Sequence, residues 1–230
     1  MRYEKSVPKD VFGDWILWQD KSLVAVDKPA GVLSQGGSAG DNLVDLARAH
    51  FGMSHIGVLH RLDRNVSGIV LLALDARAAK GLSDAMRAHE VEREYEAVVR
   101  GKPSADAFVI DAPLEKDERS NTVTVSTAKS AKPARTEVRV ERRFRAPLGS
   151  CAVLSVQPIT GRSHQIRVHL AHVSLPILGD PKYGAPARGV HRPLLHARRM
   201  KFAHPMTDAT VEIASRPPWR EADLVVLRLK

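Results

Sequence analysis

Cysteine is almost missing from this chain of 230 residues: Cys151 stands alone, so neither an intramolecular disulfide nor a thiolate metal cluster can form. A reducing compartment fits that usage. No uninterrupted apolar run approaches the roughly 20 residues needed to cross a bilayer, and the opening MRYEKSVPKD carries no apolar stretch of the kind a secretory signal needs. The expectation is a cytoplasmic, unanchored protein. Internal repeats, low-complexity tracts and linkers are absent too. Charged residues make up 27%, an ordinary globular share that excludes wholesale disorder and a fibrous protein.

What is present is enough apolar sequence, 43%, to bury a sizeable core, and a surplus of positive charge. Thirty-five Lys and Arg against twenty-six Asp and Glu give a formal charge of +9 and a pI near 9.9. A positive field concentrates phosphate-bearing ligands, and counterion release adds salt-dependent affinity, so a polyanionic partner is favoured. Charge alone fits a basic solvated surface equally well.

Hydrophobic periodicity outlines the elements. Residues 15 to 27 read as two strands meeting at the polar QDKS, and KPAG breaks the pattern. Leu43, Leu46 and Ala47 fall at helical spacing in a short helix from Asp41, its N-cap, to His50. The run IVLLAL from Ile69 to Leu74 is a buried strand, and residues 76 to 90 form a helix with Ala79, Leu82, Ala85, Met86 and His89 along one side. In EREYEAVVR the strand period puts Tyr95, Ala97 and Val99 on one face, with Tyr95 pointing inward. From Asp106 to Arg145 short strand-like pieces alternate with turns, an antiparallel pattern. Ser150 to Ile159 is a further strand. After Thr160 and Gly161 a helix starts with Ser163 as cap and runs to about Val173, and LLHARRMKFAHP, TVEIA and LVVLRL close the chain as strands. The expected fold class is α+β: a single catalytic domain over residues 1–230, with a largely antiparallel mixed sheet flanked by helices and loops and a weak division near residue 105.

Two stretches concentrate chemistry. In His60-Arg61-Leu62-Asp63-Arg64-Asn65-Val66-Ser67-Gly68 one carboxylate lies between two arginines, immediately before the buried strand. Guanidiniums close in space keep a carboxylate ionised, available as nucleophile or base. An Asp that caps a turn or pairs with Arg at the surface fits the same residues. The second stretch, PITGRSHQIRVHLAH from Pro158 to His172, is rich in Arg and His. His169 and His172 lie about 140° and about 80° around a helix from His164, with no Cys or carboxylate nearby to complete a metal site. Arg162 and Ser163 sit where the free N–H groups of a helix start favour anions, and Arg167, one turn further, can turn inward to a carboxylate such as Asp63. A solvated basic face is the other reading. Tyr95 offers a flat ring on which an extruded base can stack, and equally fits a plain core.

These residues resemble a known family. HRLDRNVSGIVLLAL is similar to the HRLD-x-x-TSG signature of RluA-type RNA pseudouridine synthases, and GRSHQIRVHLAHVSLPILGDPKYG to their GR-[ST]-HQ-[IL]-R-V-H segment with its GD-x-x-YG tail. DKPAGVLSQ, EREYEAVVRG and LLHARRMKFAHP resemble three further family segments, so the likeness runs from about residue 20 to residue 205. The resemblance implies Asp63 as the catalytic aspartate, Tyr95 stacked on the target base and Arg167 as the basic partner of the aspartate. It implies that Arg61 helps open the RNA, with His60, Arg64, Arg162, His164 and Gln165 as further substrate-binding residues. The implied reaction is an isomerisation needing no metal or cofactor, on a structured tRNA or rRNA; apart from the resemblance, a monomer is the simplest expectation.

Three positions depart from the family pattern: Val66 where Thr is usual, Met200 where Leu is usual and Asn65 where Asp is frequent. Val keeps the β-branch and loses a hydroxyl. A catalytically weak RNA-binding or assembly factor on the same fold is therefore the alternative. Residues before position 15 are too few for the small N-terminal RNA-binding domain that many relatives carry, so substrate choice is expected to rest on the catalytic domain or a partner.

Overall fold

Short Val-, Ile- and Leu-rich runs separated by polar turns become strands in a computed structural model, which describes residues 9–37 and 42–227. After a 3-10 turn (Lys9–Trp15) the elements are β1 (Ile16–Gln19), β2 (Leu23–Lys28), α1 (Leu43–Phe51), β3 (Gly57–Val58), β4 (Ser67–Ala73), α2 (Ala76–Arg87), β5 (Glu92–Arg100) and β6 (Ala107–Asp111). There follow β7 (Leu114–Asp117), β8 (Thr122–Val125), β9 (Arg135–Ala146), β10 (Gly149–Pro158), α3 (Gln165–His172), β11 (Leu195–Ala203), β12 (Thr210–Ala214) and α4 (Glu221–Leu224). The fold is α+β, as expected. Its contacts gather into two units, residues 1–92 with 197–216 and residues 93–196 with 217–230. The change falls at Glu92 rather than near residue 105, and it is not sequential.

In the first unit β2 pairs antiparallel with β1 and, over its whole length, with β4. β4 also carries β3 and neighbours β11, to which β12 is paired. All seven residues of β4 are buried, which is why its sequence is a continuous apolar run. One face of this sheet packs Leu23, Ala25, Ile69, Leu71 and Ala73 with Ala78 and Leu82 of α2, and with Met200, Phe202 and Ile213. Each large side chain so buried contributes about 1.5–3 kcal/mol. β4 and β11 approach closely at Gly68: a Cβ there would lie 2.3 Å from the Ala197 carbonyl oxygen, at a φ of +116° that side chains resist.

The helices of this unit start and stop by recognisable chemistry. Asn42 caps α1, its side chain accepting from the Asp45 N–H at 3.1 Å, whereas the expected cap, Asp41, lies outside the described residues. Asp75 caps α2 by accepting from the Arg77 and Ala78 N–H groups at 2.7 and 3.0 Å, worth about 1 kcal/mol. α2 ends at Arg87, three residues earlier than the apolar spacing predicts. His89 stands beyond it in the left-handed region (φ 61°), exposed, because the last turn closes locally through Ala88.

In the second unit β5, β10, β9 and β6 lie in that order, every pairing antiparallel, with a register shift on β10 between Val153 and Leu154. Tyr95, Ala97 and Val99 are buried, as the alternation predicts. β7 and β8 form a separate two-stranded ribbon whose Leu114 and Val123 pack with Ala134 and with Val168 of α3. Of the expected final strand LVVLRL, the described residues 224–227 form no strand, and the rest of the run lies outside the described residues. Residues 221–224 are helical; Leu224 and Leu227, three apart, are buried against Val153 and Leu178, while Val226 between them is 65% exposed. A spacing of three is helical, and the apolar run concealed it.

Candidate active site

The loop bearing Asp63 is held by its backbone. Lys28, fully buried at the end of β2, donates its ammonium to the carbonyls of Pro29, Val32 and Arg64 at 3.0, 2.8 and 3.2 Å. The Gly31 N–H donates to the same Arg64 carbonyl at 2.7 Å, and Arg64 Nε returns a bond to the Gly31 carbonyl at 2.9 Å. A buried ammonium must have such acceptors, since burying it without them is costly. The KPAGV segment therefore anchors the turn that follows Asp63. The Val66 N–H closes that turn on the Asp63 carbonyl at 3.0 Å. Val66 itself is buried, so an apolar residue suits the position and leaves no hydroxyl to satisfy.

Over this anchored backbone the side chains differ in exposure. Asp63 is half-buried, while Arg61, Arg64 and Asn65 are exposed. His60 accepts from the Leu71 N–H through Nε2 at 3.0 Å, which continues with an imidazole the pairing that β3 makes with β4 at Val58 and Gly57. His60 is thus partly occupied in orienting the loop.

The second stretch folds differently from its expectation. α3 begins at Gln165; its N-cap is His164, in the left-handed region at φ 54°, and not Ser163. The Arg162 N–H, expected to face an anion, instead donates to Gln165 Oε1 at 3.0 Å, which also accepts from the Thr160 hydroxyl at 2.7 Å. Gln165 Nε2 donates to the Arg135 carbonyl and to Thr136 Oγ1, both at 3.0 Å. Every polar atom of this buried carboxamide is engaged within the fold. Arg162 is exposed and its Nε is held by the Pro133 carbonyl at 3.0 Å.

His169, the second histidine of the stretch, serves the fold. It is fully buried, with Nδ1 2.9 Å from Thr136 Oγ1 and Nε2 2.9 Å from the Ala112 carbonyl, so both ring nitrogens serve the fold. Burial pushes its pKa down and outweighs the opposing pull of the Ala112 carbonyl. The ring is neutral, with Nε2 donating to Ala112.

Arg167 and His164 gather around Asp180 and Tyr183 of the GDPKYG segment, two residues to which neither the charge pattern nor the resemblance assigns a role. Arg167 grips Asp180 with Nε and Nη2, both at 2.7 Å, and its guanidinium carbon lies 5.0 Å from the Tyr183 ring centre. Asp180 also accepts from the N–H groups of Lys182 and Tyr183 at 2.9 and 3.3 Å. Burial alone would raise its pKa, but the Arg167 bonds and these N–H groups overcome it and hold the carboxyl below the ordinary range. Tyr183 Oη accepts from the Val123 N–H and lies 2.8 Å from His164 Nδ1. Which of the two donates follows the His164 tautomer. The GD-x-x-YG tail contains both residues and was the signal that could have found them. Tyr95 sits on β5, 7% exposed, in register with Val156.

Comparison with known proteins agrees with these motifs. A family model described as RNA pseudouridylate synthase matches residues 22–172. The chain is 34% identical over 210 residues to the ribosomal large subunit pseudouridine synthase C of Yersinia pestis, covering 87% of this chain and 64% of that protein. It is 33% identical over 223 residues to the tRNA pseudouridine synthase C of Haemophilus ducreyi, covering 87% of this chain and 89% of that protein. The chain thus spans a little under two thirds of the first relative's length. Among solved structures, human RNA pseudouridylate synthase domain containing 4 superposes with a TM-score of 0.73 at 27% identity, covering 91% of both chains.

Proposed function

This chain belongs to the RNA pseudouridylate synthase family, and from that premise we propose that it isomerises specific uridines of a structured tRNA or rRNA to pseudouridine. Asp63 is the catalytic carboxylate, Arg167 its basic partner and Tyr95 the ring against the target base. The observation that carries this reading is the half-buried Asp63 on a loop whose backbone is bound on both sides of it, within the segment that the family model matches.

The chemistry asks for such a group. The bond between uracil N1 and ribose C1′ breaks, the base turns, C5 bonds to C1′, the C5 proton leaves and N1 regains a proton. An ionised carboxylate serves the detachment by adding to the sugar or by removing a sugar proton, and a guanidinium partner keeps it ionised. Extruding the nucleotide costs a few kcal/mol in lost stacking, part of which an aromatic ring restores. Arg167 suits its role because two bonds to Asp180 fix the plane of its guanidinium. Arg61, Arg64 and Arg162, all exposed, together with His60 and His164, are the groups that meet RNA. The protein acts in the cytoplasm, as a monomer, with no metal or cofactor. The apolar fit of Val66 removes the ground for reading its missing hydroxyl as loss of catalysis.

The test is incubation of the purified protein with total RNA from a strain lacking the gene, followed by mapping of pseudouridine. New pseudouridine is expected with the native protein and none with Asp63→Ala or Asp63→Asn. Full turnover by Asp63→Asn would refute the assignment.

A further inference from the structure

Asp63 is braced unevenly. On its C-terminal side the Asp63 carbonyl takes the Val66 N–H, and the Arg64 carbonyl takes both the Gly31 N–H and the Lys28 ammonium. On its N-terminal side, among the described residues, the backbone bonds of Leu62 come from a single side chain. Ser34 Oγ donates to the Leu62 carbonyl at 2.9 Å and accepts from the Leu62 N–H at 3.1 Å. Both residues are buried. One hydroxyl here imitates a neighbouring strand, satisfying a donor and an acceptor that no strand reaches.

The Leu62 carbonyl lies in the planar peptide unit that ends at the Cα of Asp63. Rotation of that plane would swing the Asp63 carboxylate. Ser34 is itself fixed, because the preceding Leu33 carbonyl accepts from the Leu43 N–H at 2.8 Å at the start of α1. The capped helix therefore holds Leu33, Leu33 sets Ser34, and Ser34 sets the peptide before the carboxylate.

We propose that Ser34 is a positioning residue for Asp63, fixing the peptide plane from which the carboxylate projects; this rests on the reading of Asp63 as the catalytic group. Ser34→Ala leaves a buried donor and acceptor unpaired, and the loop relaxes to find water. A displacement on the order of 1 Å at a reacting group costs up to about a hundredfold in rate, while the exposed arginines that meet RNA are untouched.

The experiment uses the full chain and total RNA labelled with tritium at uracil C5, from a strain lacking the gene, with release of the label to water reporting isomerisation. With enzyme in excess, Ser34→Ala should lower the saturating rate by roughly ten- to a hundredfold and change the half-saturating enzyme concentration by less than about twofold. Ser34→Thr, which restores the hydroxyl, should recover most of the rate. Should the alanine variant fail to fold, Ser34→Cys carries the same comparison with its weaker hydrogen bonds. A folded Ser34→Ala or Ser34→Cys variant with the native rate, in an assay where Asp63→Asn is inactive, overturns the proposal. So does a rate loss matched by an equal loss of RNA affinity and not restored by threonine. Native turnover by Asp63→Asn would overturn the reading beneath it instead.

Discussion

The Asp63 loop and the α3 segment are both dense in polar residues, yet they spend them in opposite ways. In the loop the backbone is bound from elsewhere, by Lys28, Gly31 and Ser34, and the arginines remain at the surface. In α3 the side chains of Gln165, Arg167 and His169 are buried and bonded within the fold. A cluster of charge thus marks a working surface only where other residues have already met the backbone's needs. Where polar side chains do the bracing themselves, fewer remain for a ligand.

The largest effect should come from breaking the buried ion pair of the second region. Asp180 has a fully buried side chain, and Arg167 is 9% exposed. Asp180→Ala strips Arg167 of a bidentate partner in a site of low polarity, which costs about 3–5 kcal/mol for a buried pair broken on one side. Urea unfolding followed by far-UV circular dichroism would read this as a lower midpoint. A loss under about 1 kcal/mol would mean that α3 resembles the loop, with Arg167 supported from elsewhere.

How far each region could be read beforehand follows from the same contrast. Strands were legible because alternation and apolar runs report burial directly, as at β4 and β5. Helix ends were less so. Ser163 looks like a cap, but the turn is closed by Gln165 from inside the helix, a bond that reaches back three residues and leaves no trace in composition. The terminal LVVLRL shows how a short apolar run hides its period. For the site, Asp63 and its arginines stood out because their charges are adjacent in sequence. Lys28, Ser34 and Asp180 did not, because their partners lie 36, 28 and 13 residues away. The family resemblance covers the segments containing all three and assigns none of them a role.

Acid should separate the two regions by a smaller, graded effect. His169 is neutral when folded and has its pKa depressed by burial, whereas the unfolded chain titrates near 6.5. The unfolded state therefore binds more protons as pH falls below about 6.5, and stability declines from there toward the depressed folded value. Asp180, also depressed, loses its contribution only below the ordinary carboxylate pKa of 3.8, so it is silent from pH 7 to pH 5; Asp27, raised by burial, is common to native and variant, and their difference isolates the histidine. Unfolding midpoints should fall across that interval in the native protein, and His169→Asn should flatten the slope. Equal slopes in the two proteins would show that the ring carries no such linkage.

The smallest effect on stability is expected in the loop. Arg61 is exposed on a backbone held by other residues, so Arg61→Ala should change stability by no more than about 0.5 kcal/mol. Its consequence should appear against RNA instead. If the guanidinium meets a phosphate, the slope of log affinity against log salt becomes shallower by roughly 0.7–0.9, the share of a single neutralised phosphate. Filter binding of total RNA across a salt series, beside the unfolding curve, measures both. Unchanged stability with a shallower slope would place the charge of the loop on the ligand, as the contrast with α3 requires. Lower stability with an unchanged slope would make Arg61 another brace, and the difference between the two regions would disappear.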